Sequence, residues 1–187
     1  MKFTKVFNTR VVVILLILAL LLGMLASVLV SCAEMLIYPR EYRDLVNKYA
    51  EKYAVPKELI YAVIKAESNF KCDAESHAGA LGLMQMLPST CEWLAKSHFY
   101  EDPSSLSLYD PETNIKYGTY YLQYLFSRFG SWEKAIIAYN WGEGNLTSFL
   151  ESNNYIEGKY RSIPVKETRN YVSKVTRYWE KYNKLYK

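Results

Sequence analysis

The sequence predicts a mostly α protein in which an apolar N-terminal helix precedes one compact helical domain. Three observations carry this. The run Val11 to Val30, VVVILLILALLLGMLASVLV, holds twenty apolar or small residues without a charge, enough to cross a hydrocarbon core of about 30 Å as a helix. Beyond it, apolar residues return at spacings of three and four, and no segment sustains two-residue alternation. Half of the 187 residues are apolar, so the chain can bury one substantial core.

The elements follow in order. Lys2, Lys5 and Arg10 precede or open the apolar run, and no acidic residue occurs before Glu34; the basic side belongs in the cytoplasm and the rest of the chain outside it. The run exceeds the apolar region of about 7 to 15 residues in a cleaved signal, which favours a retained anchor. Leu29, Val30, Ser31 and Cys32 also resemble a bacterial lipobox, in which Cys32 is acylated and becomes the N-terminus. Both readings tether the domain to a membrane, through the helix or the lipid. Residues 1–32 are accordingly the basic stub with its anchor or signal segment, and residues 33–187 the globular domain.

Pro39 suits the first turn of a helix whose Tyr42, Leu45, Val46, Tyr49 and Tyr53 recur at helical spacing. Pro56 and Glu58 suit the start of a second helix, read through Phe70. Gly79 and Gly82 interrupt the pattern before Pro88 restarts a helix through Cys91, Trp93 and Leu94. After a loop, Asp110 caps a helix with Pro111 in its first turn, continuing through Ile115, Leu122, Leu125 and Phe126. Ser131 opens a short helix to Tyr139. A last helix from about Lys166 aligns Val172, Val175, Trp179 and Tyr182 on one side.

One residue breaks the pattern of the second helix. Wound at 100° per residue, Leu59, Ile60, Ala62, Val63, Ile64, Ala66 and Phe70 share one arc, while Lys57, Glu58, Tyr61, Lys65, Ser68 and Asn69 fill the other. Glu67 falls inside the apolar arc, between Val63 and Ile64 in projection. A carboxyl buried there has its pKa raised above the ordinary value of about 4.3, toward the value near 6 that suits a general acid. The alternative is a structural carboxylate satisfied by an arginine or by backbone amides.

Composition narrows the remaining classes. Of the formal charge of +4, Lys2, Lys5 and Arg10 supply +3, leaving +1 for the rest, which removes the electrostatic case for a nucleic-acid binder. No Gly-rich phosphate loop and no internal repeat occurs. The 18 tyrosines suit core edges first and stacking on sugar rings second. Cys72 and Cys91 are candidates for a disulfide outside the cytoplasm, with Cys32 the odd cysteine. Cys72, His77, Cys91 and His98 match no common zinc spacing. No metal or cofactor is expected, and His77 and His98 read as exposed loop residues.

Four motifs in order carry a resemblance: AESNF at Ala66 to Phe70, GALGLMQMLPST at Gly79 to Thr90, AYNWGEGN at Ala138 to Asn145 and IPVKETRNYV at Ile163 to Val172. Together they resemble the SLT-type lytic transglycosylase family, relatives of goose-type lysozyme, over roughly Tyr38 to Tyr182. The resemblance implies a lysozyme-like α domain that cleaves the bond between N-acetylmuramic acid and N-acetylglucosamine in peptidoglycan, with Glu67 as the catalytic acid. It also implies that the sugar's own carbon-6 hydroxyl attacks carbon 1 to leave a 1,6-anhydro end, so that one carboxyl suffices where most glycosidases use two. Ser76, Met84 and Gln85 match substrate-contacting positions, and Tyr139, Asn140, Glu167 and Tyr171 lie in the later motifs. Trp141 and Glu143 depart from the family pattern, where Ala and Pro are frequent. A hydrolytic lysozyme and a wall-binding protein without activity are the alternative readings.

Overall fold

The computed structural model of the chain describes residues 9–152 and 160–186; Lys2 and Lys5 of the basic stub lie outside them. The chain divides into two units, one ending at Pro39 and the other running from Arg40. In the first, α1 spans Thr9–Ile37, with no buried residue. It continues past Cys32, which is exposed. Ser27 and Ser31 return their hydroxyls to the carbonyls of Met24 and Ser27 at 2.7 and 3.0 Å, so these polar groups are satisfied within the helix, as an apolar surrounding requires.

The second unit is helical among its described residues. α2 spans Arg43–Tyr53, α3 Lys57–Glu67, α4 Pro88–Leu94, α5 Pro111–Phe129, α6 Trp132–Trp141, α7 Glu143–Glu151 and α8 Lys166–Leu185. Among the described residues, extended pairing is confined to isolated bridges of Leu81 with Glu75 and with Met86. Where a cap is local, its chemistry is direct. The Asp110 carboxylate accepts from the Thr113 N–H at 2.8 Å, and the Ser131 hydroxyl accepts from the Lys134 N–H at 3.3 Å. Each satisfies an N–H that has no partner inside its helix. Pro88 occupies the first turn of α4, where its missing N–H costs nothing.

Several expectations are corrected. Pro39 belongs to the connection after α1 and α2 begins at Arg43, because Tyr42 takes a left-handed backbone with φ 57°. The Glu67 helix ends at Glu67 and does not reach Phe70. Asn69 and Phe70 have φ of 50° and 67°, and buried Ser68 donates its hydroxyl to the Leu83 carbonyl at 2.8 Å, fastening the chain reversal to a distant loop. Tyr61, assigned to the polar arc, is 2% exposed. It stacks on Tyr182 of α8 with centroids 5.4 Å apart, since α3 is enclosed by α2 and α8 and has little solvent face left. His98 is half-buried, with Nδ1 3.0 Å from the Tyr120 hydroxyl and its ring edge-on to Trp93. Helix α7 was not expected at all.

Tyrosines build much of this interior. Tyr53 meets Tyr120 edge-on at 5.2 Å, and Phe99 meets Tyr117 edge-on at 4.7 Å, edge-to-face arrangements that aromatic quadrupoles favour. The principal consequence of the packing is that the end of α3 is brought against α8, with the loop between α3 and α4 folded over it.

Candidate active site

A cleft of about 600 Å³ opens where the end of α3, the loop before α4, the end of α6 and the start of α8 converge. Glu67 lines it. Of the other residues singled out in the sequence, Ser76, Gln85, Tyr139, Asn140 and Glu167 line the same cleft, as do His77 and Trp141. Met84 and Tyr171 lie behind the wall.

Glu67 is the last residue of α3, half-buried. Loss of water around its carboxyl pushes its pKa up to about 7, opposed by a hydrogen bond from Tyr171 and by the charge of Lys174. The Tyr171 hydroxyl donates to Oε1 at 2.6 Å. Burial holds the Tyr171 phenol well above its ordinary pKa, so it stays a donor. The geometry thus supplies a carboxyl that is largely protonated below pH 7, oriented through one oxygen, at the wall of an open cleft.

The loop is held with unusual thoroughness for a segment without regular structure. Asn114 of α5, 0% exposed, accepts from the Met84 N–H at 2.7 Å and donates to the carbonyls of Leu81 and Leu108 at 2.8 and 2.7 Å. Gly82 passes so close, at φ +74°, that a Cβ there would overlap the Leu108 carbonyl and the Asn114 amide. Gln85, at φ 50°, gives both amide protons to the carbonyls of Ala74 and Gly82 at 3.1 and 2.9 Å, leaving its side-chain oxygen to offer. The Ser76 hydroxyl accepts from the Ala80 N–H at 3.0 Å.

Met84 does not present its side chain to the cleft: it is 0% exposed, close-packed on Gly118, where a Cβ would stand 2.6 Å from the sulfur. Its carbonyl instead accepts from the Tyr139 hydroxyl at 2.8 Å, so Tyr139 ties α6 to the loop and is not hydrogen-bonded to Glu67. The expectation of a Cys72–Cys91 disulfide is also corrected, because both are free thiols. Cys72 lies beside the Tyr42 hydroxyl, whereas Cys91 is packed among Met86, Leu94, Leu108 and Tyr117, where burial pushes the thiol up to about 11. Among the described residues no cluster of His, Cys, Asp and Glu is arranged to hold a metal ion.

Sequence reading missed Tyr121, which lines the cleft with its ring 5.5 Å from Tyr139 and its phenol pushed up to about 12 by burial. It missed Asn114 as well. A lone polar residue in a helix reads as surface, and only the tertiary fold shows three partners around it.

Comparison with known proteins adds to this geometry. A family model described as the transglycosylase SLT domain matches residues 44–161. The soluble lytic murein transglycosylase of Escherichia coli (strain K12) is 36% identical over 148 residues, 75% of this chain and 23% of that protein. The membrane-bound lytic murein transglycosylase C of Actinobacillus pleuropneumoniae serotype 5b (strain L20) is 32% identical over 167 residues, 76% of this chain and 46% of that protein. The chain therefore spans less than half the length of these relatives. Among solved structures, the 70 kDa soluble lytic transglycosylase from Escherichia coli superposes with a TM-score of 0.71 at 36% identity, covering 79% of this chain and 25% of that one. An inactive mutant of the lytic transglycosylase Slt from Pseudomonas aeruginosa gives 0.72 at 31% identity, covering 79% and 24%.

Proposed function

The chain belongs to the transglycosylase SLT family, and from that premise we propose that it is a peptidoglycan lytic transglycosylase. The observation that carries the reading is Glu67: a carboxyl with its pKa near 7, fixed by Tyr171, in a cleft lined by amide and hydroxyl groups suited to an acetamido sugar. Glu67 donates its proton to the oxygen between N-acetylmuramic acid and N-acetylglucosamine as the bond from carbon 1 breaks. The carbon-6 hydroxyl of the same muramic ring then attacks carbon 1 and returns its proton to the Glu67 carboxylate. No water is consumed, and the acid is regenerated.

Ser76, Gln85, Asn140 and Glu167 hold the glycan in this reading, while Tyr139 and the Met84 carbonyl hold the loop that carries Gln85. Glu167 favours a second reading. It is exposed and lines the same cleft, so a water activated by this carboxylate would make the reaction a hydrolysis.

Because Glu67 must enter the reaction protonated, turnover of purified peptidoglycan should fall as pH rises through about 7. A rate still climbing beyond pH 8 would contradict an acid role for this carboxyl. We further propose that α1 tethers the domain outside the cytoplasmic membrane. Its uncharged run of twenty residues from Val11 to Val30, longer than the apolar region of a cleaved signal, supports a retained anchor. The intact mass of the membrane-extracted chain should show an unprocessed N-terminus, whereas a mature protein beginning at acylated Cys32 would replace the anchor with a lipid.

A further inference from the structure

We propose that Lys174 is a positioning residue that holds the last turn of α3 from behind and, through its charge, sets the pH above which Glu67 ceases to act as an acid. The proposal rests on the reading of Glu67 as the general acid and extends it to a residue outside the cleft. The last carbonyls of a helix have no partner within it and carry partial negative charge. The Ala66 carbonyl, next to Glu67, is one of them, and the Lys174 ammonium donates to it at 2.7 Å. Lys174 stands three residues after Tyr171 on α8, and residues so spaced share a helix face. One face of α8 therefore grips the acid twice. Tyr171 takes the carboxyl at 2.6 Å, and Lys174 takes the backbone one residue earlier.

Lys174 is not among the residues lining the cleft, so it acts through Glu67 and not on the glycan. Its charge favours the carboxylate and works against the desolvation that favours the acid. The other groups facing this corner have different effects. Tyr171 of α8, Tyr139 of α6 and Tyr121 of α5 are buried phenols held neutral. Glu167 of α8 and His77 of the loop are exposed and line the cleft, where solvent screens them. On α3 itself, the Lys65 ammonium bonds Asn69 at 3.1 Å and its pKa is lowered by burial and by repulsion from Lys174. Lys174 is thus held beside the acid despite a like charge nearby.

The test compares the full chain in detergent with Lys174→Met and Lys174→Arg. In Lys174→Met the alkaline limb of the turnover profile should move to higher pH by roughly 0.5 to 1 pH unit, the size expected from removing one nearby charge that acts through a partly solvated path. In Lys174→Arg, which keeps the charge, the limb should stay in place. Titrating the Glu67 carboxyl by carbon-13 NMR, with its resonance identified by its loss in Glu67→Gln, reads the same displacement without turnover. Lys174→Gln serves where Met prevents folding. A Lys174→Met chain that is merely slower at every pH, with an unmoved Glu67 titration, overturns the proposal. Should the parent cleave no peptidoglycan while the titration still moves, the charge effect of Lys174 stands and the transglycosylase reading falls.

Discussion

Glu67→Gln should leave a folded chain that binds glycan but turns it over at least about 10²-fold more slowly, the lower end of what general acid catalysis supplies. Glutamine keeps the shape and an oxygen for Tyr171, whose hydroxyl donates at 2.6 Å, but it has no proton to give. The same variant should be more stable than the parent in alkali. An unfolded glutamate ionises near 4.3, while the folded carboxyl holds its proton until about 7. Between those values the folded state binds more protons, so stability declines with rising pH. The favourable contribution is complete below the unfolded pKa and is lost as pH passes the folded one. Removing the carboxyl therefore relieves a cost above pH 7, on the order of 1–3 kcal/mol. Urea unfolding at pH 5 and pH 8 measures it: a gain at pH 8 that is absent at pH 5 fits, and equal effects at both would show that Glu67 is not buried as an acid.

Asn114→Ala should be the most damaging substitution outside the cleft. It strands the Met84 N–H and the Leu108 carbonyl and takes one of two donors from the Leu81 carbonyl, which keeps the Met86 N–H at 3.0 Å, in an interior where Asn114 itself is fully buried. Each of the two stranded groups costs about 1–3 kcal/mol, so a total of roughly 2–6 kcal/mol is expected, with a fall in Tm of about 5 °C or more. Turnover should fall with it, because the loop anchored at Met84 also carries Gln85. A loss below about 1 kcal/mol would mean that water replaces the amide and that the loop is not held as described.

The contrast between Asn114 and Asp110 shows what a sequence of this kind discloses. Asp110, Ser131 and Pro88 mark helix starts through contacts within a few residues, and all three lie where local chemistry places them. Asn114 acts on partners up to 33 residues away. The end of α3 is similar, since it is fixed by the Ser68 bond to Leu83 and not by any breaker in AESNF. Winding one helix in isolation puts Tyr61 on the arc opposite the apolar one, whereas Tyr182, which stacks on it, lies on an element more than a hundred residues away in sequence. Cleft residues such as Gln85, Asn140 and Glu167 were legible from motif resemblance. Met84 was not, because the resemblance names a position without saying which atom serves: here the carbonyl faces Tyr139 and the thioether faces the core.

Mass spectrometry of the fragments released from purified peptidoglycan by the full chain tests the central claim most directly. Internal attack by the carbon-6 hydroxyl leaves muramic ends lighter by one water than hydrolytic ends and inert to borohydride. Fragments bearing such anhydro ends, absent from the Glu67→Gln digest, are the predicted result. Fragments that are all reducible by borohydride would contradict it and make the enzyme a hydrolase, with Glu167 the first carboxylate to examine as the base.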